Sequence, residues 1–288
     1  MNSNARRGFE GGFTVLMAVY FKEEPSRFML ALESIFSNTL QPNAVVLVAD
    51  GPLPNSLESI IQDFQCRFNI FQVHRLYENQ GLAKALNAGL ALVRTEWVVR
   101  ADSDDINRLD RFERQANAIA KIFPPVDILG GAIQEIYSDG TPIAIRSTPI
   151  NNFDIRSFAR QRNPFNHMTV AFRAELIRGV GGYPDIFLKE DYALWASLIH
   201  ADACCGNLSD ILVDAIVGKE MYSRRGGLKY ALAEYELQKH LIKCNIKGVG
   251  PAVVDGIGRS IIFLLPKNFR EYIYKNLLRK KPKSLIKI

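Results

Sequence analysis

The sequence predicts an α/β protein, a mostly parallel sheet flanked by helices and followed by a helical C-terminal extension. Two observations carry that expectation. Between residues 13 and 102, apolar runs of strand length alternate with stretches of helical periodicity, the pattern of parallel strands joined by crossover helices. The 288-residue chain is also long enough for one sizeable core, and its 48% hydrophobic and 23% charged content is that of a globular protein rather than a disordered one.

FTVLMAVY (13–20) is a continuous apolar run of buried-strand type. Pro25 suits the start of a helix, and SRFMLALESIF (26–36) places Phe28, Met29, Leu32, Ile35 and Phe36 on one stripe. AVVLVAD (44–50) is a second strand, stopped by the turn GPLP. SLESIIQDFQCRF (56–68) is a second helix, NIFQVHRL (69–76) a third strand, LAKALNAGLALV (82–93) a third helix, and EWVVRAD (96–102) a fourth strand. The second half is less regular. DILGGAIQEIYSDGTPIAIRSTP reads as a hairpin turning at Asp139 and Gly140, and HMTVAFR (167–173) as a strand. KEDYALWASLIHAD opens a helix with Leu194, Trp195 and Leu198 on its apolar side, and LKYALAEYELQKHLIK is a long helix behind a glycine pair. The glycines and proline of KGVGPAVVDGIG mark a boundary near residue 245, giving a main domain (1–245) and a helical, basic extension (246–288).

The formal charge of +6 implies an acidic partner: nucleic acid, anionic lipid or a phosphorylated small molecule. Much of the excess sits in residues 267–288, where eight Lys or Arg face one acid, Glu271. Cys66, Cys204, Cys205 and Cys244 show no C-x-x-C spacing, so neither a zinc ribbon nor a secreted disulfide framework is indicated, and a reduced cytosolic compartment is expected. Arg6 and Arg7 before FTVLMAVYF imitate a signal peptide, but KEEP follows with no small-residue cleavage site. The late apolar run SIIFLLP falls far short of the ~20 residues of a spanning helix, so no transmembrane segment is expected.

In parallel α/β sheets, ligands bind beyond the carboxyl ends of the strands. Those ends carry Tyr20 to Glu23, Asp50, Glu78 with Asn79, and the stretch VVRADSDDINRLDRFERQ, which sets Asp102, Asp104 and Asp105 within four residues. Carboxylates so close repel and raise one another's pKa unless something positive offsets them. A hard divalent cation such as Mg²⁺ or Mn²⁺ prefers such oxygens and is usually shared with substrate phosphates, where it acts as a Lewis acid on a leaving group. The bland alternative is a helix N-cap before INRLDRFE. A calcium loop is excluded, because Ile106 and Asn107 fall where an oxygen ligand and a glycine are required. Arg100, just inside the strand, is placed to pair with these acids.

Taken in order, FTVLMAVY, VLVADG, ENQGLAKALNAGL, VVRADSDDINRLDRFERQ and LKEDYALW resemble the family 2 glycosyltransferases, inverting nucleotide-sugar enzymes with the Rossmann-like GT-A fold. RNPFNHMTV, GGYPDIFLKEDYALW and MYSRRGGLKYALAE resemble the subgroup that builds bacterial O-antigen and exopolysaccharide repeat units. The resemblance runs from about Phe13 to about Glu236. It implies that Ala18, Val19 and Tyr20 contact the nucleotide base and ribose, with Glu23 close by. Asp50 would accept a hydrogen bond from a uracil ring, although a turn-forming Asp before Gly51 and Pro52 explains the same residue. Asn79, Gly81 and Lys84 would line the nucleotide, with Lys84 near the phosphates. Asp102 would meet the ribose or a metal, Ser103 would face the nucleotide beside it, and Asp104 would be the principal ligand of a Mn²⁺ or Mg²⁺ ion shared with the diphosphate.

Glu190 and Asp191 match the family's acceptor-side carboxylates. Inverting transfer needs a base to take the acceptor hydroxyl's proton as it attacks the anomeric carbon. Asp191 is assigned that role and Glu190 the orientation of the acceptor, against the plainer reading of both as helix-start acids. Arg224 and Arg225 before Gly226 and Gly227 form a candidate diphosphate clamp, against a solvated pair at a helix start. His167 is either a donor or acceptor contact or a hydrogen-bonded structural histidine.

The expectation is thus a cytoplasmic, metal-dependent inverting glycosyltransferase. It would use a UDP-linked sugar and act on a saccharide, specifically a lipid-diphosphate-linked sugar. The basic tail, with Phe269, Ile273, Leu277 and Leu278 among its cations, would either lie on an anionic membrane surface at the inner face of the bacterial cytoplasmic membrane or pack on the domain. A sugar nucleotidyltransferase is the competing enzyme, but it needs a glycine-rich basic loop after the first strand, where FKEEPS is acidic. A noncatalytic nucleotide-sugar binding module is the competing non-enzyme. Nucleic acid is disfavoured, because the expected cleft is acidic and the tail lacks a recognition motif.

Overall fold

The computed structural model describes residues 8–122, 124–218 and 226–266. Its first half is β1 (Phe13–Val19), α1 (Pro25–Phe36), β2 (Ala44–Ala49), α2 (Asn55–Arg67), β3 (Phe71–Arg75), α3 (Leu82–Leu92) and β4 (Trp97–Arg100). The order β3-β2-β1-β4 is all parallel, with β1 in register against both neighbours: Leu16 faces Val46 on β2 and Arg100 on β4. Alternate β1 residues feed two cores. Val15 and Met17 join Phe28, Leu32, Ile61 and Phe64 on the face covered by α1 and α2, while Leu16 and Ala18 join Leu86 and Leu90 of α3 on the other. Burial on both faces is why these strands are uninterrupted apolar runs. At Gly89 of α3 a Cβ would fall 2.4 Å from Leu16 Cδ1 and 2.8 Å from Val48 Cγ2, so the helix lies against the sheet at a distance only glycine permits.

The second half comprises β5 (Ile106–Asn107), α4 (Arg111–Ile119), β6 (Ile128–Ile136), β7 (Pro142–Arg146), α5 (Asn152–Phe158), β8 (Ala171–Arg173), α6 (Ala174–Gly179), α7 (Glu190–His200), β9 (Cys205–Ile216), α8 (Leu228–Lys243) and α9 (Val249–Leu264). The sheet continues β4-β8-β6-β9-β5, with β7 on β6. Strand direction changes at β8, which is antiparallel to both β4 and β6; β6 and β9 then run parallel, and β5 is antiparallel to β9. The expected hairpin is β6 and β7, closed by a backbone hydrogen bond from Gly140 to Tyr137 at 2.9 Å.

Two expectations are corrected. HMTVAFR is a strand only over Ala171–Arg173, because Thr169 donates from both N and Oγ1 to Asn166 O and turns His167–Thr169 into one 3₁₀ turn. The helix after the aspartates starts at Arg111 with Asp110 as N-cap. Ile106 and Asn107 are instead drawn into the sheet, where Asn107 bonds Ser34 Oγ through its backbone N–H at 3.0 Å and its side chain at 2.9 Å. None of the three clustered aspartates is therefore a helix cap.

α7 lies in the core that α3 shares, with Leu194, Trp195 and Leu198 fully buried. α8 packs on α7, joined by His240 Nε2 to Ala193 O at 3.0 Å and to Ser197 Oγ at 2.9 Å. α9 packs on α8, and Gly227 N donates to Phe263 O at 2.8 Å, joining the start of one helix to the end of the other. Among the described residues no helix is long and apolar enough to cross a membrane. Arg224, Arg225 and the basic tail after residue 266 lie outside the described residues.

Candidate functional site

The ends of β1 and β2 carry the first group of candidate residues. Ala18 and Val19 are buried, while Tyr20 is 42% exposed and meets Phe21 edge-on at 5.7 Å. Asp50, at the end of β2, is buried and holds the loop before α3. Its carboxylate accepts Asn79 Nδ2 at 2.9 Å, Gln80 N at 2.7 Å and Gly81 N at 3.0 Å. Three of about four acceptor sites on that carboxylate are thus committed to the loop. Gly81 has φ 92°, a conformation that disfavours any other residue, and starts α3 by accepting Ala85 N at 3.0 Å. Lys84, in the first turn, is half-exposed, with Nζ 3.4 Å from Asp185 Oδ2.

The acid loop stands beyond β4. Arg100 is 1% exposed and donates from Nη2 to Asp102 Oδ1, while its Nε and Nη1 find no hydrogen-bond partner among the described residues. Ser103 Oγ donates to Glu23 Oε2 at 2.5 Å, tying the loop after β1 to the acids. Burial, then the charges of Asp102 and Glu23, push the Asp104 carboxyl up to about 7. Asp105 is buried and raised well above the usual carboxylate range by burial and then by Asp104; it accepts Ile216 N at 3.1 Å. Beneath them Arg111 is fully buried, bonded to Asn107 Oδ1, to Gln115 Oε1 at 3.1 Å and to Arg100 O at 2.8 Å. Burial and then the Arg100 charge lower its guanidinium to about 9.

An oxygen-only donor set, its leading carboxyl pushed up by burial and by other acids, suits a hard divalent cation, which would reverse that shift. Asp104 and Asp102 are the residues that could hold one. Among the described residues no three His, Cys, Asp or Glu side chains form a ready-made cage.

A further group of candidate residues begins at α7. Leu188 holds left-handed backbone, φ 54°, a costly conformation for its side chain, and the chain then turns into α7 at Glu190. Burial, then the Asp191 charge, push the Glu190 carboxyl up to about 7. Asp191 is fixed at both oxygens: Oδ2 accepts Asn163 Nδ2 at 2.6 Å and Oδ1 accepts Tyr192 N at 2.7 Å. His167 and Tyr183 are buried with Nε2 and OH 3.1 Å apart. Burial, then Arg100, lower the imidazole to about 4, so it stays neutral at physiological pH. Asn87 of α3 clasps Tyr183 at N (2.7 Å) and O (2.9 Å).

The two groups meet through the backbone: Arg100 N donates to Val170 O at 2.8 Å and Val170 N to His167 O at 3.3 Å, so the histidine turn lies against the end of β4. The fold thus brings Glu23, Asp102, Ser103 and Asp104 together beyond β4, fixes Asp191 at the start of α7, and seats Asp50, Asn79 and Gly81 as one clasped loop. Sequence reasoning missed Asn163, Tyr183, Asn87 and Arg111. Asn163 and Tyr183 stand within RNPFN and GGYPD, both quoted for the family resemblance, but nothing in either segment pairs them with Asp191 or His167.

Residues 14–179 match the family model described as glycosyl transferase family 2. The chain is 40% identical over 270 residues to an Escherichia coli UDP-Gal:alpha-D-GlcNAc-diphosphoundecaprenol beta-1,3-galactosyltransferase, covering 93% of this chain and 97% of that one. Among solved structures, S. aureus TarS 1-349 in complex with UDP-GlcNAc superposes with a TM-score of 0.66 at 16% identity, over 93% of this chain and 76% of that one. A mannosyltransferase, PcManGT from Pyrobaculum calidifontis in complex with GDP-Man and Mn²⁺, does so with a TM-score of 0.59 at 18% identity, over 94% and 81%.

Proposed function

The chain belongs to glycosyl transferase family 2 and has the GT-A fold; from that premise we propose that it transfers a sugar, with inversion, from a UDP-linked donor to a lipid-diphosphate-linked saccharide. The observation that carries this reading is the Asp191 carboxylate at the start of α7, held at one oxygen by Asn163 Nδ2 at 2.6 Å and at the other by Tyr192 N at 2.7 Å, in a chain of this family. The similar galactosyltransferase, which uses UDP-Gal and a GlcNAc-diphosphoundecaprenol, supports the choice of donor and acceptor class.

In this reading the clasped loop at Asn79 to Gly81 and the exposed Tyr20 bind the nucleotide. Asp104 and Asp102 would hold the Mn²⁺ or Mg²⁺ ion, whose chemistry when bound is to neutralise charge on the departing diphosphate. Asp191 takes the acceptor hydroxyl's proton as that oxygen bonds to the anomeric carbon. The bond to the nucleotide breaks on the opposite face, and its electron pair leaves with the diphosphate. Asn163 keeps the Asp191 carboxylate oriented, and Glu190 accompanies it as the acceptor-orienting acid. The enzyme works peripherally at the cytoplasmic face of the membrane, with residues 1–245 as catalytic domain and 246–288 as extension.

A thermal-shift screen of UDP, GDP and their sugars, with and without Mn²⁺, tests the donor half of this reading. Metal-dependent stabilisation by UDP or a UDP-sugar is expected. A response to GDP alone, or to no nucleotide, overturns it. Transfer onto a detergent-dispersed GlcNAc-diphosphate lipid then tests the acceptor half, and absence of transfer onto it with a binding donor would refute that half.

A further inference from the structure

Away from the residues described above, the outer face of α8 and α9 is apolar and open. Leu232 and Tyr235 on α8, and Val253, Ile257, Ile261 and Leu264 on α9, are each between 51% and 58% exposed. The α9 residues recur at intervals of four, four and three, which puts them on one stripe. A groove of about 360 Å³ with almost wholly apolar walls runs between the helices. The charged residues of α9 are taken up elsewhere: Asp255 pairs with Lys247, and Arg259 with Glu234 and the Gln161 carbonyl. The α9 stripe therefore carries no charge of its own, Lys239 of α8 at the groove pairs with Glu236, and a patch of this kind marks an interaction surface.

The chain itself indicates the partner. Directly after α9 come residues 267–288, with eight Lys or Arg against one acid. An uncharged apolar stripe leading into a cationic segment matches a surface that is anionic at its face and hydrocarbon beneath.

The buried side of the same two helices packs against the segment that leads into the acceptor acids. Lys189, the residue before Glu190, reaches Glu234 Oε2 of α8 at 3.2 Å and sits 5.6 Å above the Phe263 ring of α9. Phe187 meets Tyr230 of α8 edge-on at 5.7 Å.

We propose that the outer face of α8 and α9 is the surface by which this protein seats on an anionic phospholipid bilayer, with Ile257 and Ile261 entering the acyl boundary. The significance of the contact rests on the lipid-linked acceptor reading, since the two helices pack against Lys189, which leads into Glu190 and Asp191.

The test is flotation of the full chain with phosphatidylcholine vesicles, with and without phosphatidylglycerol. It is repeated for the double variant Ile257→Asp and Ile261→Asp, whose side chains are exposed and whose folding circular dichroism checks. Wild type is expected to float with the phosphatidylglycerol vesicles, less so at high salt. The variant should partition at least about tenfold more weakly. A wild type that does not float, or a variant that floats as wild type does, overturns the proposal. So does sedimentation showing a dimer that the variant abolishes. Transfer onto a detergent-dispersed acceptor, measured separately, should be equal in the two proteins. If transfer is absent while flotation depends on the two isoleucines, the catalytic reading falls and the membrane face stands.

Discussion

Asn163 Nδ2 donates to Asp191 Oδ2 at 2.6 Å, and the next backbone N–H in the chain, that of Tyr192, takes the other oxygen at 2.7 Å. Asp191 is thereby held in one rotamer at the first turn of α7, with lone pairs still free on each oxygen. A carboxylate immobilised in this way is suited to receive a proton from a bound hydroxyl without reorienting.

Asp191→Asn keeps the shape of the side chain and removes its basicity. It should lower kcat by about 10²-fold to 10⁴-fold while leaving UDP-sugar affinity unchanged. Single-turnover transfer together with nucleotide titration separates the two, and unchanged transfer would remove Asp191 from the mechanism.

Asn163→Ala frees one oxygen of that carboxylate. A hydrogen bond to a charged group contributes about 1.5–3 kcal/mol, so kcat should fall by about tenfold or more at constant donor KM. An increase in donor KM at constant kcat would instead place Asn163 on the nucleotide.

Glu190 gives the enzyme a pH-dependent stability. Its native carboxyl, raised from 4.5 to about 7, holds a proton more tightly than the unfolded chain does. Its contribution is therefore complete below about pH 4.5 and lost as pH rises through about 7. Glu190→Gln imitates the protonated form, so its stability relative to wild type should grow over that window, approaching about 3 kcal/mol. Urea denaturation at pH 5 and pH 8.5 measures this, and a difference independent of pH would contradict it.

Asp104→Asn removes a carboxyl that burial and neighbouring acids already penalise. The folded protein should lose no stability at pH 8, whereas UDP-dependent stabilisation in Mn²⁺ should drop to the level seen without metal. Saturation at a hundredfold over Kd contributes about 2.7 kcal/mol in the wild type. Survival of the manganese effect in the variant would shift the ligand role to another acid.

Asp50→Ala deletes the acceptor that fixes Asn79, Gln80 and Gly81. The loop should loosen, with faster amide exchange at Gln80 and Gly81, and nucleotide affinity should fall with it. Lost affinity with unchanged exchange would mean that Asp50 acts on the base directly and not through the loop.

The half of the fold that the sequence made legible is the half buried on both faces. There, strands are unbroken apolar runs, and the loops at their carboxyl ends carry their chemistry in adjacent letters, so the acids at 102 to 105 and 190 to 191 stood out. Legibility fails where an element is short and its partner distant. β5 is two residues whose ladder lies on Asp214 and Val213, and β8 is three residues wedged between β4 and β6. β9 pairs with β6 through shifts of register that break any simple alternation. The missed site residues share this cause: Asn163 meets Asp191 and Asn87 meets Tyr183 only after the chain has folded, and Arg111 disappears into the interior because Asn107, Gln115 and the Arg100 carbonyl together satisfy it.

The pairing of β5 with β9 also fixes when the protein becomes competent during synthesis. The first four strands depend on nearby crossovers and can dock as soon as residue 100 has left the ribosome. Ile106, Asn107 and the Asp105 carboxylate, however, wait for Val213, Asp214 and the Ile216 amide, more than a hundred residues later in translation. Nascent chains arrested before residue 205 should protect their early strands from proteolysis and yet fail to retain nucleotide, because the loop that carries the clustered acids is tied down by one of the last strands to emerge.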